Sequence, residues 1–406
     1  MGPTRNAATL ALGAFAVAGV IFSAVSTYDY VAFLDRQVHA ITCSFVPGIG
    51  APDTTGSSGC HAVLMSPYSA VLRTWTWGGI PIALPALAVF VYLLFRAADL
   101  HLRRVAGDVN ETRFTVAATL LPVVVSVVYF LVSILRVGAV CKLCVGTYVA
   151  AIGAFVAAIV AYRQAARGTG PRPVPWGKYA AYFLEGVAFV FVPALLYVAL
   201  KPAYADTAVR CGELLHPEDR YGVRVKLTGP PGGVPAIEVL DPLCPACKGF
   251  SQRLAASGLG GRLSRELVLF PLDKECNWMV SESLHPGACA VSEAVLCGGV
   301  QADRVLEWAF DHQAELRELG KEPERVYARI RQQFPQLADC LGRPAVKSRL
   351  NRSLRWAVAN SLPVVTPQLF VRGQKVCDED TDLGLEYVLS RMLAGQQPGG
   401  PRRAAR

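Results

Sequence analysis

Two cysteine pairs in this 406-residue chain have the spacing of redox-active thiols. The first is Cys141-Lys-Leu-Cys144, at the start of an apolar run, and the second is Cys244-Pro-Ala-Cys247, just after the strand-like residues 236–240. A thiol at the start of a helix has its thiolate stabilised by the helix dipole, so its pKa falls and its reactivity rises. The spacing and position of both pairs therefore indicate a role in thiol–disulfide exchange.

A structural zinc site is the alternative explanation for a C-x-x-C pair. The pair Cys141 and Cys144 would need two further ligands, and no second C-x-x-C or histidine pair lies near it in the sequence. The six histidines of the chain form no ligand pattern. We therefore expect no metal site.

Five apolar segments are long enough to span a bilayer, which takes about 20 residues. They are residues 7–28, 73–96, 113–136, 142–163 and 179–200. The first has a longer apolar core than a signal peptide and no clear cleavage site, so we expect it to be retained. The pairs identified above thus belong to different surroundings, since Cys141 and Cys144 open the fourth span and Cys244 and Cys247 follow the fifth.

Basic residues beside the spans predict the orientation of the chain. Arginines and lysines cluster between the second and third spans and between the fourth and fifth, whereas residues 29–73 contain only Arg36 and Arg73. The positive-inside rule then places the N-terminus in the cytoplasm and everything after residue 200 on the outer side, together with both C-x-x-C pairs. Disulfides persist there. The same rule accounts for much of the net charge of +9, so we expect no nucleic-acid partner.

The outer loop before the second span carries a further pattern. Cys60 begins a C-x-x-V-x-x-S motif that ends at Ser66, and Gly79-Ile80-Pro81 follows downstream. Together with the C-x-x-C that opens the fourth span, these motifs resemble the vitamin K epoxide reductase (VKOR) family over about residues 7–165. The resemblance implies a bundle of four transmembrane helices around a quinone, such as ubiquinone, menaquinone or a related compound.

The same resemblance implies roles for five residues. Cys43 and Cys60 would be the shuttle pair, and Cys141 would accept electrons from Cys60. Cys144 would be the cysteine nearest to the quinone, and the Ser66 hydroxyl would help to hold a quinone oxygen. Sixteen residues separate Cys43 from Cys60, more than is usual in the family, and a purely structural Cys43–Cys60 disulfide is the alternative.

The region after the fifth span has the composition of a soluble domain. A C-P-x-C motif directly after a strand is typical of thioredoxin-like redox domains. Thr366-Pro367, before the apolar residues 368–371, resembles the Thr–cis-Pro that lies against the active-site cysteines of that fold. There, Thr366 would offer its backbone to an extended substrate chain.

A long insertion distinguishes this region from thioredoxin itself. About 120 residues separate Cys247 from Pro367, and residues 281–360 carry helical patterning. This arrangement resembles the helical insertion of DsbA-type oxidases.

Six further cysteines lie in the same region. They are Cys211, Cys276, Cys289, Cys297, Cys340 and Cys377. An even number in an oxidising compartment predicts structural disulfides. We predict Cys276–Cys289 as the first pair, because both residues lie in loop-like stretches that are close in sequence. Cys297 lies in an apolar helical stretch and is predicted as a candidate buried free thiol.

These features predict a multi-domain membrane protein. A VKOR-type all-α four-helix bundle with a fifth transmembrane helix precedes an α/β thioredoxin-like domain with a helical insertion. The predicted boundaries are residues 1–165 for the VKOR-like domain, 166–233 for the fifth helix and linker, 234–395 for the thioredoxin-like domain and 396–406 for a disordered tail.

The predicted function is quinone-dependent oxidation of thiols in secreted or periplasmic proteins, at the inner (cytoplasmic) membrane. Electrons would pass from Cys244/Cys247 through Cys43/Cys60 to Cys141/Cys144 and the quinone pool of the lipid bilayer. Two alternatives stay open. One is a quinone or vitamin K (epoxide) reductase whose main product is the reduced quinone, and the other is a non-enzymatic, membrane-anchored chaperone or scaffold.

Overall fold

The computed structural model describes residues 3–34, 59–103, 105–167, 172–201, 211–377, 380–381 and 383–395. Cys43 and the predicted tail, 396–406, lie outside these residues. Contacts divide the chain into two compact units. The first unit comprises Met1–Leu72 and Gly79–Pro202, and the second comprises Arg73–Gly78 and Ala203–Arg406.

The described part of the first unit is mainly helical. Its helices are α1 (Pro3–Leu34), α2 (Gly59–Leu64), α3 (Ala83–Leu102), α4 (Val109–Val132), α5 (Lys142–Ala166) and α6 (Trp176–Leu200). All except the short α2 are long and apolar enough to cross a membrane, which confirms five membrane-capable segments. Helix α1 packs against α3 and α5, α4 packs against α5, and α6 packs against α3.

Helix α3 begins later than the sequence predicts. It starts at Ala83 rather than near Arg73. Gly78 and Gly79 have φ values of 71° and 72°, in the left-handed region that an α-helix excludes. The next residues form the short strand β2 (Ile80–Pro81), which pairs antiparallel with β1 (Ala70–Val71). The predicted span is therefore too long at its N-terminal end.

A buried ionic cluster joins three helices of the first unit. Arg96 of α3 donates to a Glu111 oxygen of α4 at 2.8 Å, and both side chains are at most 3% exposed. Lys178 of α6 pairs with the same carboxylate, and the Tyr182 hydroxyl donates to it at 3.1 Å. The Arg96 guanidinium also lies 3.9 Å from the centre of the Tyr182 ring. This cluster holds α6 against the other helices through charges that satisfy one another.

The second unit contains a mixed five-stranded sheet in the order β3-β5-β4-β6-β7. Its strands are β3 (Val225–Lys226), β4 (Val234–Leu240), β5 (Leu263–Leu269), β6 (Gln368–Val371) and β7 (Gln374–Lys375). Strand β4 is parallel to β5 and antiparallel to β6. Its last five residues are all buried, as is expected of a central strand covered on both faces.

Helices surround this sheet. Helix α7 (Pro245–Ala256) follows β4, and α13 (Leu385–Leu393) follows β7. Five helices lie between β5 and β6 in the sequence: α8 (Ala288–Gly298), α9 (Ala302–Asp311), α10 (Gln313–Leu319), α11 (Pro323–Gln333) and α12 (Pro344–Ala359). Helices α8 to α12 contribute much of the apolar core that also contains Cys244 and Cys247. The helical patterning predicted for residues 281–360 is therefore confirmed.

Three disulfides occur in the described part of the second unit. They are Cys211–Cys377, Cys276–Cys289 and Cys297–Cys340. The predicted Cys276–Cys289 pair is confirmed. The prediction of a free thiol at Cys297 is wrong, because folding brings its Cα within 5.8 Å of that of Cys340, a separation that a disulfide spans.

Candidate active site

An apolar cavity of about 450 Å³ lies in the first unit. Cys60, Ser66, Cys141 and Cys144 all line it, and most of the other lining residues are apolar. The structure therefore brings together, on one cavity, four residues that the sequence singled out from separate segments. Cys43 lies outside the described residues.

Cys60 reaches the cavity on helix α2. It is 6% exposed and packs with Cys141 and Leu143 in a small apolar cluster. Gly59 permits this close approach, because a β-carbon at that position would lie 2.4 Å from the carbonyl oxygen of Val140. Cys60 is disulfide-bonded, whereas Cys141 has a free thiol.

Cys141 precedes the first turn of α5 and caps it. Its backbone is extended, with φ −94° and ψ 123°, and its Sγ accepts a hydrogen bond from the backbone N–H of Cys144 at 3.4 Å. Hydrogen bonding with Cys144 lowers the pKa of the Cys141 thiol against the opposing effect of burial. A thiol in this position is prepared to form a nucleophilic thiolate or to leave as one.

Hydroxyl groups supply much of the polar lining of the cavity. Ser66 lies in the turn after α2, where its carbonyl oxygen accepts hydrogen bonds from the N–H and the hydroxyl of Ser69 at 3.2 Å and 3.0 Å. Sequence reasoning missed Tyr129, Tyr148 and Asp29, which also line the cavity. Tyr148 lies four residues after Cys144 on α5, so helical spacing could have found it. Tyr129 and Asp29 lie on α4 and α1, where no local spacing relates them to the cysteines.

The lining suits a quinone. The cavity volume of about 450 Å³ lies within the range of small-molecule pockets, about 300–1,000 Å³. A quinone ring needs apolar walls and a few donors for its carbonyl oxygens, and Ser66, Tyr129 and Tyr148 carry hydroxyl groups that can donate. Cys144, with a free thiol, contributes its side chain to the same lining.

A second candidate site lies in the second unit, where Cys244 occupies the N-cap position of α7 without a capping hydrogen bond from its side chain. Cys244 is 6% exposed and Cys247 is fully buried. A hydrogen bond with Cys247 lowers the pKa of Cys244 to about 6 despite burial. Burial raises the pKa of Cys247. Cys244 is therefore the thiol of this pair that ionises first.

Thr366 and Pro367 lie beside this pair. The peptide bond between them is cis, and Cys244 Sγ donates to the Thr366 carbonyl oxygen at 3.7 Å. On the other side, Gln313 donates to the carbonyl oxygen of Cys244 at 2.9 Å. The structure thus brings together Cys244, Cys247, Thr366 and Pro367 from segments that are far apart in the sequence.

Sequence reasoning missed two polar residues beside these cysteines, Asp241 and His285. Asp241 directly follows β4 and is fully buried. Its carboxylate accepts the N–H groups of Leu243 and Leu272, each at 2.7 Å, and one oxygen lies 2.8 Å from His285 Nδ1. The Asp-Pro step before Cys244 signals a turn, but no sequence pattern relates Asp241 to a histidine 44 residues away.

Comparison with known proteins supports one part of this arrangement. Residues 10–159 match the model of the vitamin K epoxide reductase family. No curated protein and no solved structure matches the chain. The match indicates that this part of the chain is a homologue of that family. It covers most of the segment from α1 to α5 and includes all four cavity residues named from the sequence. Members of this family are oxidoreductases of membranes that act on quinones and disulfides.

Proposed function

We propose that this chain is a quinone-dependent thiol–disulfide oxidoreductase that forms disulfide bonds in exported proteins. One observation carries the proposal. Cys60, Ser66, Cys141 and Cys144 line a single apolar cavity, inside the segment that matches the vitamin K epoxide reductase family. The cavity places three cysteine side chains, the disulfide-bonded Cys60 and the free thiols of Cys141 and Cys144, beside a space of the size and polarity that a quinone ring needs.

The second unit would be a thioredoxin-like domain of the DsbA type. Three features support this assignment. The C-x-x-C pair starts the helix after the central strand β4. A cis Thr366–Pro367 bond precedes β6. Five helices are inserted between β5 and β6. In this role Cys244 and Cys247 would carry the disulfide that oxidises substrates, and Thr366 would bind the substrate backbone.

Oxidation of a substrate would begin at Cys244. A substrate thiolate attacks Cys244 Sγ of the Cys244–Cys247 disulfide, so a mixed disulfide forms and Cys247 leaves. The raised pKa of Cys247 means that this sulfur takes up a proton. A second substrate thiolate then attacks the substrate sulfur of the mixed disulfide, and Cys244 leaves as a thiolate. Two electrons have moved from the substrate to the pair.

The electrons would then pass to the first unit through Cys43 and Cys60. Exchange with the reduced pair of the second unit reoxidises that pair and reduces the Cys43–Cys60 disulfide. The Cys60 thiolate next attacks Cys141 of a Cys141–Cys144 disulfide, which releases Cys144. Cys43 resolves the Cys60–Cys141 bond, so one disulfide has replaced another at each stage and both electrons are conserved.

Quinone would be the final acceptor, since it takes up the two electrons and two protons that leave when Cys141 and Cys144 form a disulfide. Ser66, Tyr129 and Tyr148 would hold its oxygens. The apolar walls of the cavity would exclude water. The lowered pKa of Cys141 favours its release as a thiolate when Cys43 resolves the Cys60–Cys141 bond.

The proposed location is the inner (cytoplasmic) membrane. The N-terminus would face the cytoplasm and the second unit would face the periplasm, where secreted thiol proteins are available as substrates. Three disulfides in the described part of the second unit support an oxidising compartment. The membrane quinone pool would be the partner of the first unit.

The variant Cys144→Ala in the full-length protein tests the proposal. We expect it to abolish quinone reduction driven by a reduced peptide, because the last disulfide cannot form. The variant should still oxidise peptide in a single round of at most two equivalents, one through the Cys244–Cys247 disulfide and one through the Cys43–Cys60 disulfide, because neither disulfide can then be renewed. Quinone reduction is followed by absorbance, and peptide oxidation by thiol alkylation and mass spectrometry.

A paired replacement of Cys297 and Cys340 by alanine is the matched control, because it removes a disulfide outside the proposed relay. It should retain quinone turnover. Turnover of the Cys144→Ala variant at the rate of the unmodified protein would disprove the scheme. Accumulation of exported proteins with reduced thiols in a strain that lacks the gene would support the oxidase direction over the reductase alternative.

A further inference from the structure

We propose that His285 is a positioning residue for the redox pair of the second unit, where its imidazolium, held on Asp241, stabilises the Cys244 thiolate. The proposal deepens the proposed function, on which it rests for the meaning of a stabilised thiolate. It assigns a role to a histidine outside the C-x-x-C motif.

The carboxylate of Asp241 needs a positively charged partner. Asp241 is fully buried, and a buried carboxylate is costly unless it is both hydrogen-bonded and paired. Two of its three described donors are the neutral N–H groups of Leu243 and Leu272. The third, His285 Nδ1 at 2.8 Å, is the one of these three that can carry a positive charge.

Backbone hydrogen bonds and a disulfide hold the segment that carries the His285 imidazole. The backbone N–H of His285 donates to the carbonyl oxygen of Leu272 at 3.1 Å, and its own carbonyl accepts the N–H of Ala288 at 3.1 Å. The Cys276–Cys289 disulfide encloses the segment that contains His285. The ring therefore projects from a loop that is fixed by backbone hydrogen bonds on both sides and by a covalent bond.

The charges of Asp241 and His285 act on the Cys244 thiol in opposite directions. A hydrogen bond with Cys247 contributes most to the low pKa of Cys244, while the charge of Asp241 raises that pKa and the charge of His285 lowers it. Burial alone would lower the pKa of His285, but the hydrogen bond and charge of Asp241 raise it above its usual value, and Arg317 opposes them. His285 thus stays protonated to a higher pH and offsets the carboxylate that would otherwise oppose the thiolate.

A stabilised Cys244 thiolate affects the direction of thiol–disulfide exchange with substrates. Stabilising the Cys244 thiolate stabilises the reduced pair, which makes the Cys244–Cys247 disulfide a stronger oxidant. His285 would therefore favour transfer of electrons from substrates into the chain, rather than the reverse. The benefit requires a protonated imidazole, and it disappears as the pH rises through the pKa of His285.

The test uses the full-length protein and the variant His285→Gln. The rate of alkylation of Cys244 is measured against pH by mass spectrometry of the peptide that contains it, with the pair reduced. We expect the midpoint of thiolate formation to rise from about 6 by about one pH unit, because glutamine retains a hydrogen-bond donor but carries no charge. His216→Gln, at an exposed histidine of the same unit, is the matched control and should not change the midpoint.

A second variant separates charge from packing. Asp241→Asn removes the charge that raises the pKa of Cys244, and this effect is larger than the opposing effect of His285. The midpoint should therefore fall rather than rise, even though His285 loses the carboxylate that keeps it protonated. A general loss of packing would move both variants in one direction. Equilibration with glutathione buffers gives a further readout. A tenfold smaller equilibrium constant for oxidation of glutathione by the Cys244–Cys247 disulfide in His285→Gln corresponds to a reduction potential lower by about 30 mV.

A His285→Gln midpoint equal to that of the His216→Gln control would overturn the proposal. A shift of His285→Gln and Asp241→Asn in the same direction would overturn it as well. None of these measurements involves quinone turnover. Failure of the Cys144→Ala test would therefore leave this result standing, and failure here would leave the quinone scheme untouched.

Discussion

Replacing Gly59 by alanine should slow disulfide exchange between Cys60 and Cys141 by about a hundredfold. The added β-carbon would lie 2.4 Å from the carbonyl oxygen of Val140, and 3.2 Å and 3.3 Å from two other backbone atoms of that residue. Carbon and oxygen atoms approach to about 3.3–3.6 Å even in their closest favourable contacts. Helix α2 must therefore move away from the start of α5 by about 1 Å, because backbone atoms cannot rotate aside.

The size of the kinetic effect follows from this displacement. Cys60 is adjacent to Gly59 on α2, and Cys141 is adjacent to Val140, so the movement acts directly on the two sulfurs that must react. A misplacement of about 1 Å in a reacting group can cost about 10²-fold in rate. The Cys141–Cys144 pair itself lies on α5 and should keep its own geometry.

The assay follows formation of the Cys60–Cys141 mixed disulfide in the full-length protein by acid quenching, alkylation and mass spectrometry. Gly177→Ala is the matched control, because a β-carbon at Gly177 would meet no atom within 4 Å. The helical circular dichroism signal and the melting temperature of each variant report whether the first unit is intact. Equal exchange rates in Gly59→Ala and Gly177→Ala would refute the argument that the approach of α2 to α5 sets the rate.

Two further predictions concern stability. Glu111→Ala should destabilise the first unit by about 3 kcal/mol, because it removes one of the two carboxylates, Glu111 and Asp99, that pair with the buried Arg96 guanidinium. Thermal unfolding in detergent measures this loss, and Glu318→Ala, at an exposed ion pair, should change it little. Replacing Cys276 and Cys289 by serine should destabilise the second unit by about 3 kcal/mol, the value for a loop of roughly 15 residues, and should raise the alkylation midpoint of Cys244 as His285→Gln does. An unchanged midpoint in the serine variant would show that the hydrogen bonds of the loop suffice to hold His285.

Local patterns in the sequence predicted much of the fold. The five apolar segments needed only length and composition, and Cys141 and Cys244 could be placed at helix starts because each precedes a helical pattern. The Cys276–Cys289 disulfide could be predicted because both residues lie in loops that are close in the sequence. The start of α3 could not be predicted, because the sequence indicates only weakly that the backbone at Gly78 and Gly79 is left-handed.

The remaining features depend on contacts between distant segments. The Cys297–Cys340 disulfide forms because packing of the inserted helices brings the C-terminal end of α8 close to the turn that contains Cys340, and the spacing of the cysteines does not encode this. Asp241 and His285 likewise come together only in the folded chain, because they are 44 residues apart in the sequence. In the first unit, Tyr129 reaches the cavity only through the packing of α4 against α5. Periodicity within one helix cannot predict which neighbour that helix will meet.

The Cys211–Cys377 disulfide has a mechanical consequence. Cys211 is the first described residue after α6 and Lys201, and Cys377 follows the edge strand β7, 166 residues later. Tension that arrives along the chain from α6 would pass at Cys211 into a covalent bond. The strands that lie between these residues in the sequence then carry little of the force, so their hydrogen bonds are not broken one after another.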